Sequence, residues 1–196
     1  GRVVPHAPIE RENYQTNALN EYTSVAGVAF AYDSNGNLLN DGRQTYRYDA
    51  QNRLIGVENA AIKAEFFYDA RNRCVLRKYY SRNRQGQWVL NTAASRVLTY
   101  DSAWNLLTER ALNGSQAGKY VHGQRTDEIL QFTGSDGAKL YPLADGLGST
   151  VALASKQGKV TERFRYTAYG QPQALTAVYK ASNTPSIYRF LFTGRE

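Results

Sequence analysis

Short apolar and aromatic segments alternate with polar turn segments along almost the whole chain, and none of them has the spacing of an amphipathic helix. In residues 160–166, odd and even positions fall on opposite faces of an extended strand, so that Phe164 and Tyr166 share one face. Most segments end near a dipeptide such as Asn-Gly or Asp-Gly, which is typical of tight turns between antiparallel strands. The pattern therefore predicts an all-β protein built of antiparallel hairpins, with little helix.

Two stretches lack this pattern. Residues 1–20 contain two prolines and are predicted to form an extended lead-in. Residues 174–185 are predicted to form a surface loop, and the apolar residues from Ile187 to Phe192 are predicted to form the last strand.

The strongest signal is an internal repeat, because a Tyr-Asp pair recurs four times. Each pair is followed by three variable residues, then Asn or Arg, then an apolar residue. The pairs are Tyr32-Asp33, Tyr48-Asp49, Tyr68-Asp69 and Tyr100-Asp101. We expect the Asp to accept backbone N–H bonds across the turn and the Tyr ring to pack against the neighbouring hairpin. Each unit offers an apolar face that only its neighbours can cover, so the units should stack.

This repeat resembles the YD repeat of the Rhs (rearrangement hotspot) family, which also includes the teneurins and the shell components of insecticidal Tc toxins. Residues 120–130, 141–150, 165–171 and 190–196 resemble further motifs of that family, and they occur in the family's order. The motif residues to which the resemblance assigns a structural role are Tyr32, Asp33, Tyr48, Asp49, Tyr68, Asp69, Tyr100, Asp101, Tyr141, Asp145, Gly148, Ser149, Tyr166 and Gly170.

The resemblance implies hairpins stacked into a spiral or open β-shell segment. Residues 21–118 would form the YD-repeat region, and residues 119–196 the conserved core region that precedes the family's C-terminal cleavage and toxin part. In bacterial members the shell encloses a toxin that self-cleavage releases. We therefore expect a non-enzymatic structural segment of a longer bacterial protein, exported or at the cell surface. Its partners would be the rest of the shell, the toxin cargo and, through open sheet edges, other copies.

The net charge of +7 would favour a polyanionic partner, but the basic residues are scattered apart from one cluster between Arg71 and Arg84. Nucleic acid is therefore not the expected partner. The alternative function is a module that binds glycans or a cell surface through aromatic rings beside arginines. The candidate residues for that function are Trp88, Trp104, Arg71, Arg73 and Arg77.

Few residues carry other chemistry. The lone Cys74 excludes an internal disulfide, and with only His6 and His122 a metal site built on two histidines is not expected. Gly146–Thr150 lacks the lysine of a phosphate-binding loop. We therefore predict no catalytic residues, no cofactor and no metal, and the absence of a run of about 18 apolar residues excludes a transmembrane helix.

Overall fold

The computed structural model describes residues 13–183 and 186–194. Most of the predicted lead-in, including His6, lies outside the described residues, as do the last two residues of the 190–196 motif. The described residues form 18 β-strands and one short 3-10 segment. The prediction of an all-β, antiparallel protein is confirmed.

The chain divides into two compact units. The first unit comprises Gly1–Phe67 and Lys78–Asn91, and the second comprises Tyr68–Arg77 and Thr92–Glu196. Strand β9 (Cys74–Arg82) contributes its first residues to the second unit and its last residues to the first. Each unit therefore contains two of the four Tyr-Asp pairs, although the strands on either side of Tyr68-Asp69 are divided between the units.

The first unit consists of short antiparallel strands that follow one another in chain order. Besides the end of β9, they are β1 (Tyr14–Thr16), β2 (Tyr22–Val25), β3 (Val28–Ala29), β4 (Ala31–Tyr32), β5 (Leu38–Asn40), β6 (Thr45–Tyr48), β7 (Leu54–Glu58), β8 (Lys63–Tyr68, whose last residue counts with the second unit) and β10 (Trp88–Leu90). Strands β1–β3 form a separate small sheet, and β10 pairs with β9. Only Gly56 and Ala64 are buried among the unit's described residues.

The second unit is one run of longer antiparallel strands, again paired in chain order. After the start of β9 come β11 (Arg96–Tyr100), β12 (Leu106–Ala111), β13 (Gln116–His122), β14 (Ile129–Gly134), β15 (Lys139–Ala144), β16 (Thr150–Ser155), β17 (Val160–Tyr166) and β18 (Pro172–Thr176). Inward-facing side chains from these strands build an apolar core. Its buried members from the strands are Leu98, Leu106, Tyr120, Ile129, Phe132, Leu153 and Phe164, and Tyr188 from a later segment is buried with them.

Ser186–Gly194, here called the strap, packs Tyr188, Phe190 and Leu191 against this core without joining the sheet. The predicted strand Ile187–Phe192 is wrong, because the described backbone there forms no strand and ends in the 3-10 segment Phe192–Gly194. Tyr188 is buried, and the Phe190 ring lies 5.2 Å from that of Tyr120. The apolar pattern thus reflects contact with the core rather than strand pairing.

The predicted loop 174–185 is also wrong at its beginning. Strand β18 extends to Thr176 and pairs with β17 over its whole length. The buried Leu175 explains this, since its side chain joins the apolar interior while its backbone also bridges to Ala181.

Candidate functional site

A single carboxylate organises each Tyr-Asp turn. At the first copy the N–H of Asp33 donates to the carbonyl of Asn37 (2.9 Å), and the N–H of Gly36 donates to the carbonyl of Asp33 (3.1 Å). Oδ1 of Asp33 accepts the N–H groups of Asn35 and Asn37, both at 2.9 Å. The side chain therefore satisfies the backbone groups that a tight turn leaves unpaired, as an Asx turn does.

The second carboxylate oxygen explains why the repeat has Asn or Arg four residues after the Asp. Oδ2 of Asp33 accepts a hydrogen bond from Asn37 Nδ2 at 2.9 Å. In the next copy Arg53 Nε donates to Asp49 Oδ2 at 2.7 Å. The third and fourth copies repeat these contacts with Arg73 on Asp69 and Asn105 on Asp101. Asn and Arg are interchangeable here because each places an N–H donor within reach of the same oxygen.

These hydrogen bonds lower the pKa values of the repeat's aspartates. Asn37 holds the pKa of Asp33 below its ordinary value, mainly through its side-chain hydrogen bond. The backbone N–H of Arg73 is the main cause of the lowered pKa of Asp69. At Asp49, desolvation would raise the pKa, but the hydrogen bonds from Arg53 outweigh it and the pKa is lowered. The pKa of Asp101 is lowered mainly by the side-chain hydrogen bond from Asn105. The folded turns thus favour the ionised carboxylates.

The turns require a left-handed backbone three residues after each Asp. The residues at that position are Gly36 (φ 81°), Asn52 (φ 59°), Asn72 (φ 63°) and Trp104 (φ 72°). Gly and Asn adopt this conformation most readily. Trp104 departs from that preference, because a bulky side chain is rare in the left-handed region.

The motif tyrosines are all half-buried. Tyr100 donates its hydroxyl to the carbonyl of Cys74 (2.9 Å), and Tyr166 donates to that of Thr150 (2.5 Å). Burial raises the pKa of Tyr166 to about 12. Tyr141 donates a longer bond, of 3.3 Å, to the side chain of Gln131. These rings combine apolar packing with a hydroxyl anchor to a neighbouring strand or to the residue that begins it.

Side chains also join one turn to the next. In the first unit, Asn52 Oδ1 accepts from Asn35 Nδ2 (3.1 Å) and Asn37 Nδ2 (2.8 Å). In the second unit, Arg73 Nη1 donates to the carbonyl of Asp101 at 3.0 Å. Arg71 Nη2 makes a longer bond, 3.4 Å, to the carbonyl of Ser102. Within each unit, side-chain hydrogen bonds thus link one Tyr-Asp turn to the next.

The same turn recurs outside the Tyr-Asp copies. Oδ1 of Asp145 accepts the N–H groups of Leu147 and Ser149, both at 2.9 Å, and Gly148 takes the left-handed position. Gly170 occupies that position in the turn that Thr167 begins. A further turn of this type begins at Asn83, with Gly86 in the left-handed position. The sequence analysis missed the turns that begin at Asn17 and Thr176, because Asn20 and Tyr179 rather than Gly occupy that position.

The end of the strap is hydrogen-bonded to Ser149 and Thr150 of the same unit. The N–H of Thr193 donates to Ser149 Oγ (3.0 Å), and Thr150 Oγ1 donates to the carbonyl of Phe190 (2.9 Å). The backbone N–H of Thr150 donates to the carbonyl of Leu191 at 2.9 Å. Two segments singled out in the sequence, 141–150 and 190–196, therefore meet here through their described residues.

A buried carboxylate holds the other end of the strap. Glu109 accepts a hydrogen bond from the Tyr120 hydroxyl (2.7 Å) and forms an ion pair with Arg189. Burial and the charge of Glu109 raise the pKa of Tyr120 well above its usual range. The sequence analysis missed both Glu109 and Arg189, because their partners lie far away in the chain.

The proposed ligand-binding residues have different environments. Arg71 and Arg73 lie in the turn contacts described above, and Trp88 donates its indole N–H to Glu58 (3.0 Å) under the guanidinium of Arg82. Trp104 and Arg77 line one cavity of the second unit. The structure thus brings together two of the five candidates in a pocket.

Within residues 13–183 and 186–194, no group of three or more His, Cys, Asp or Glu side chains is placed to hold a metal ion. The same residues contain no helix with the length and apolar character needed to cross a membrane.

Stacked antiparallel hairpins with carboxylate-centred Tyr-Asp turns define a β-repeat structural protein. The family model of the Teneurin YD-shell matches residues 9–176. The chain therefore belongs to the Teneurin YD-shell family, which confirms the YD-repeat resemblance seen in the sequence.

The chain is 25% identical over 163 residues to the tRNA3(Ser)-specific nuclease WapA of Bacillus spizizenii, which covers 82% of the chain but 6% of that relative. A porin-like protein from Bacteroides vulgatus aligns with a TM-score of 0.44 and 12% identity, over 87% of this chain and 97% of that one. The TcdB2-TccC3 structure without its hypervariable C-terminal region aligns with a TM-score of 0.24 and 12% identity, over 94% and 14% of the two chains. Family membership rests on the family match, since both structural scores are low.

Proposed function

We propose that this chain forms part of the wall of a larger YD shell that encloses a C-terminal toxin or other polypeptide cargo and helps to deliver it. In this proposal the chain has no catalytic role. The observation that carries the proposal is the fastening of consecutive turns, in which Asn52 binds Asn35 and Asn37, and Arg73 binds the carbonyl of Asp101. A wall made of hairpins needs such links, because each hairpin alone leaves an apolar face uncovered.

One end of the sheet supports a continuing wall. Strand β18 pairs with β17, and its other side is covered in part, by the bridge from Leu175 to Ala181 and by the N–H of Ser182, which donates to the carbonyl of Ala174 (3.1 Å). Unpaired strand edges readily accept another strand. The partners of the chain would then be neighbouring shell strands, the enclosed cargo and, when the chain is isolated, other copies of itself.

The relatives are named as nucleases, but the chain spans only 6% of their length. We place that activity outside the matched region, and we assign to this chain a role in holding such a cargo. A bacterial, exported or cell-surface location follows from this role.

Limited proteolysis of the natural gene product tests the proposal. We expect the wall to shield a separate polypeptide segment from protease, and Leu153→Asp to expose it, because Leu153 is fully buried in the second unit's sheet. Val151→Asp on the same strand is the matched control, since Val151 is 37% exposed and its change should leave the shielding intact. A product in which no segment is shielded, or in which both variants behave alike, would contradict the proposal.

A further inference from the structure

Two Asn-Gly pairs, Asn35-Gly36 and Asn113-Gly114, occur in the chain. Each lies in a turn between neighbouring strands, and both asparagines and both glycines are exposed to solvent. Glycine has no Cβ, so its peptide nitrogen can approach the preceding side chain closely. The side-chain amide of each asparagine is therefore open to attack by the backbone nitrogen that follows it.

The two turns have the same backbone hydrogen bonds. The N–H of Gly36 donates to the carbonyl of Asp33 at 3.1 Å, and that of Gly114 donates to the carbonyl of Ala111 at 2.9 Å. The φ angles of the two glycines are also alike, at 81° and 86°. The main chain thus restrains both attacking nitrogens in the same way, and a difference in reactivity must come from the surrounding side chains.

The side-chain carbonyl of Asn113 is activated by two donors. Its Oδ1 accepts the backbone N–H of Ser115 at 3.0 Å and the Ser115 hydroxyl at 2.7 Å. Attack on the amide carbon places negative charge on this oxygen, and donors at these distances stabilise such a charge. Among the described residues, nothing lies within 4 Å of the point where a Cβ would stand on Gly114, so base and water can reach the turn.

The surroundings of Asn35 oppose the same reaction. Its Nδ2 donates to Asn52 Oδ1 at 3.1 Å, while its own Oδ1 accepts no hydrogen bond from the described residues. The Asp33 carboxylate accepts the N–H of Asn35 at 2.9 Å, and Oε1 of Glu21 lies 3.2 Å from the point where a Cβ would stand on Gly36. These two negative charges disfavour the loss of a proton from the Gly36 nitrogen.

We propose that Asn113 is the preferred site of spontaneous deamidation in this chain. The Gly114 nitrogen loses its proton to base and bonds to Cγ of Asn113, the bond from Cγ to Nδ2 breaks, and the amide nitrogen takes up a proton and leaves as ammonia. The product is a cyclic imide, which water opens at either carbonyl to give aspartate or isoaspartate. Water and base from the solvent are the only co-reactants. The proposal does not depend on the shell function.

The modification changes the hairpin between β12 and β13. Either product adds a carboxylate, which lowers the net charge of +7 by one unit. Isoaspartate also lengthens the main chain of the turn by one carbon atom. The turn is closed by the N–H of Ala111, which donates to the carbonyl of Ser115 at 2.9 Å. The longer main chain should weaken this hydrogen bond and loosen the end of the hairpin.

The test is peptide mapping by mass spectrometry of the folded 196-residue chain after incubation at mildly alkaline pH. Trypsin releases residues 111–119, in which Asn113 is the only asparagine, and residues 12–43, which contain Asn35. We expect Asn113 to convert at least several-fold faster than Asn35 and to yield both aspartate and isoaspartate. In guanidinium chloride the two rates should converge, because both pairs lose their surroundings. Equal rates in the folded chain, a faster Asn35, or the same ratio in the folded and unfolded chains would overturn the proposal.

Variants at the two turns identify the cause. Ser115→Ala removes the hydroxyl donor and keeps the backbone donor, so deamidation of Asn113 should slow by about threefold to tenfold, the effect of one hydrogen bond. Gln116→Ala is the matched control, because Gln116 is the exposed next residue and its change should leave the rate in place. Asp33→Asn keeps an acceptor for the turn but removes its charge, so Asn35 should convert faster. Circular dichroism shows that each variant is folded. An unchanged rate in Ser115→Ala, or in Asp33→Asn, would overturn the proposal.

Discussion

The two units use the same turns but are stabilised in different ways. The first unit buries only Gly56 and Ala64 among its described residues, whereas the second buries large side chains such as Phe132 (2% exposed) and Leu153 (0% exposed). Both contain Tyr-Asp turns with the same carboxylate hydrogen bonds. The comparison teaches that the repeat motif determines where the chain reverses, while bulky inward residues and the strap determine how much core is built.

In place of a core, the first unit has a network of charged and aromatic side chains. Tyr80 donates its hydroxyl to Glu65 at 2.6 Å, and this hydrogen bond raises the pKa of Tyr80 to about 12. The Nζ atom of Lys63 lies 3.8 Å from Oε1 of Glu65 and 3.9 Å from Oε2 of Glu58. Such partly exposed pairs contribute little, on the order of 0–1 kcal/mol each. The first unit should therefore open more easily than the second.

The largest effect is expected from Phe132→Ala. Removing this buried ring from the aromatic core should cost about 3–5 kcal/mol in the unfolding free energy of the second unit. Urea denaturation measures the change. Phe67→Ala is the matched control, because Phe67 is 41% exposed in the first unit, and it should cost less than about 1 kcal/mol. Equal costs would mean that the two units do not differ as described.

The next effect concerns the buried carboxylate. Glu109→Leu removes the buried carboxylate that accepts from the Tyr120 hydroxyl and pairs with Arg189, and should destabilise the second unit by about 1–3 kcal/mol. Proteolytic cleavage within the strap should become faster, which peptide mapping can follow. Glu65→Leu in the first unit serves for comparison and should have the smaller effect. A strap that resists protease equally in both variants would argue against this anchor.

A smaller effect is expected from Asp69→Ala, which removes the acceptor of two backbone N–H groups and the partner of Arg73. The thermal midpoint should fall, though by less than for Phe132→Ala. Asp136→Ala is the matched control, since the Asp136 carboxylate accepts the backbone N–H of Ala138 but forms no ion pair among the described residues. Thermal melts followed by circular dichroism would compare them. A greater loss in the control would show that the paired contacts do not matter.

Acid should act through the turns of both units. The folded state lowers the pKa values of Asp33, Asp49, Asp69 and Asp101, so it binds fewer protons than the unfolded chain. Their contribution is present above the unfolded pKa and is lost as pH falls through the folded pKa. Stability should decline as pH falls from about 5 to about 2, and the first unit should melt first. Melting curves that do not change over this range would exclude the effect.

The sequence predicted the hairpins well because turn chemistry is local. An Asp with donors two and four residues away, and Gly or Asn at the left-handed position, is visible in a short window of sequence. The strap was mistaken for a strand because alternating apolar residues look alike whether the segment pairs with a sheet edge or packs on a core. The burial of Glu109 depends on its ion pair with Arg189, and a local sequence pattern cannot predict a partner so far along the chain.

Hydrogen exchange followed by mass spectrometry tests the central comparison most directly. If the second unit is held by its core and strap, amides of β14 and β16 should exchange most slowly, and those of β6 and β7 should exchange much faster through local opening. Amides in β6 and β7 that are protected as strongly as those in β14 and β16 would contradict the account.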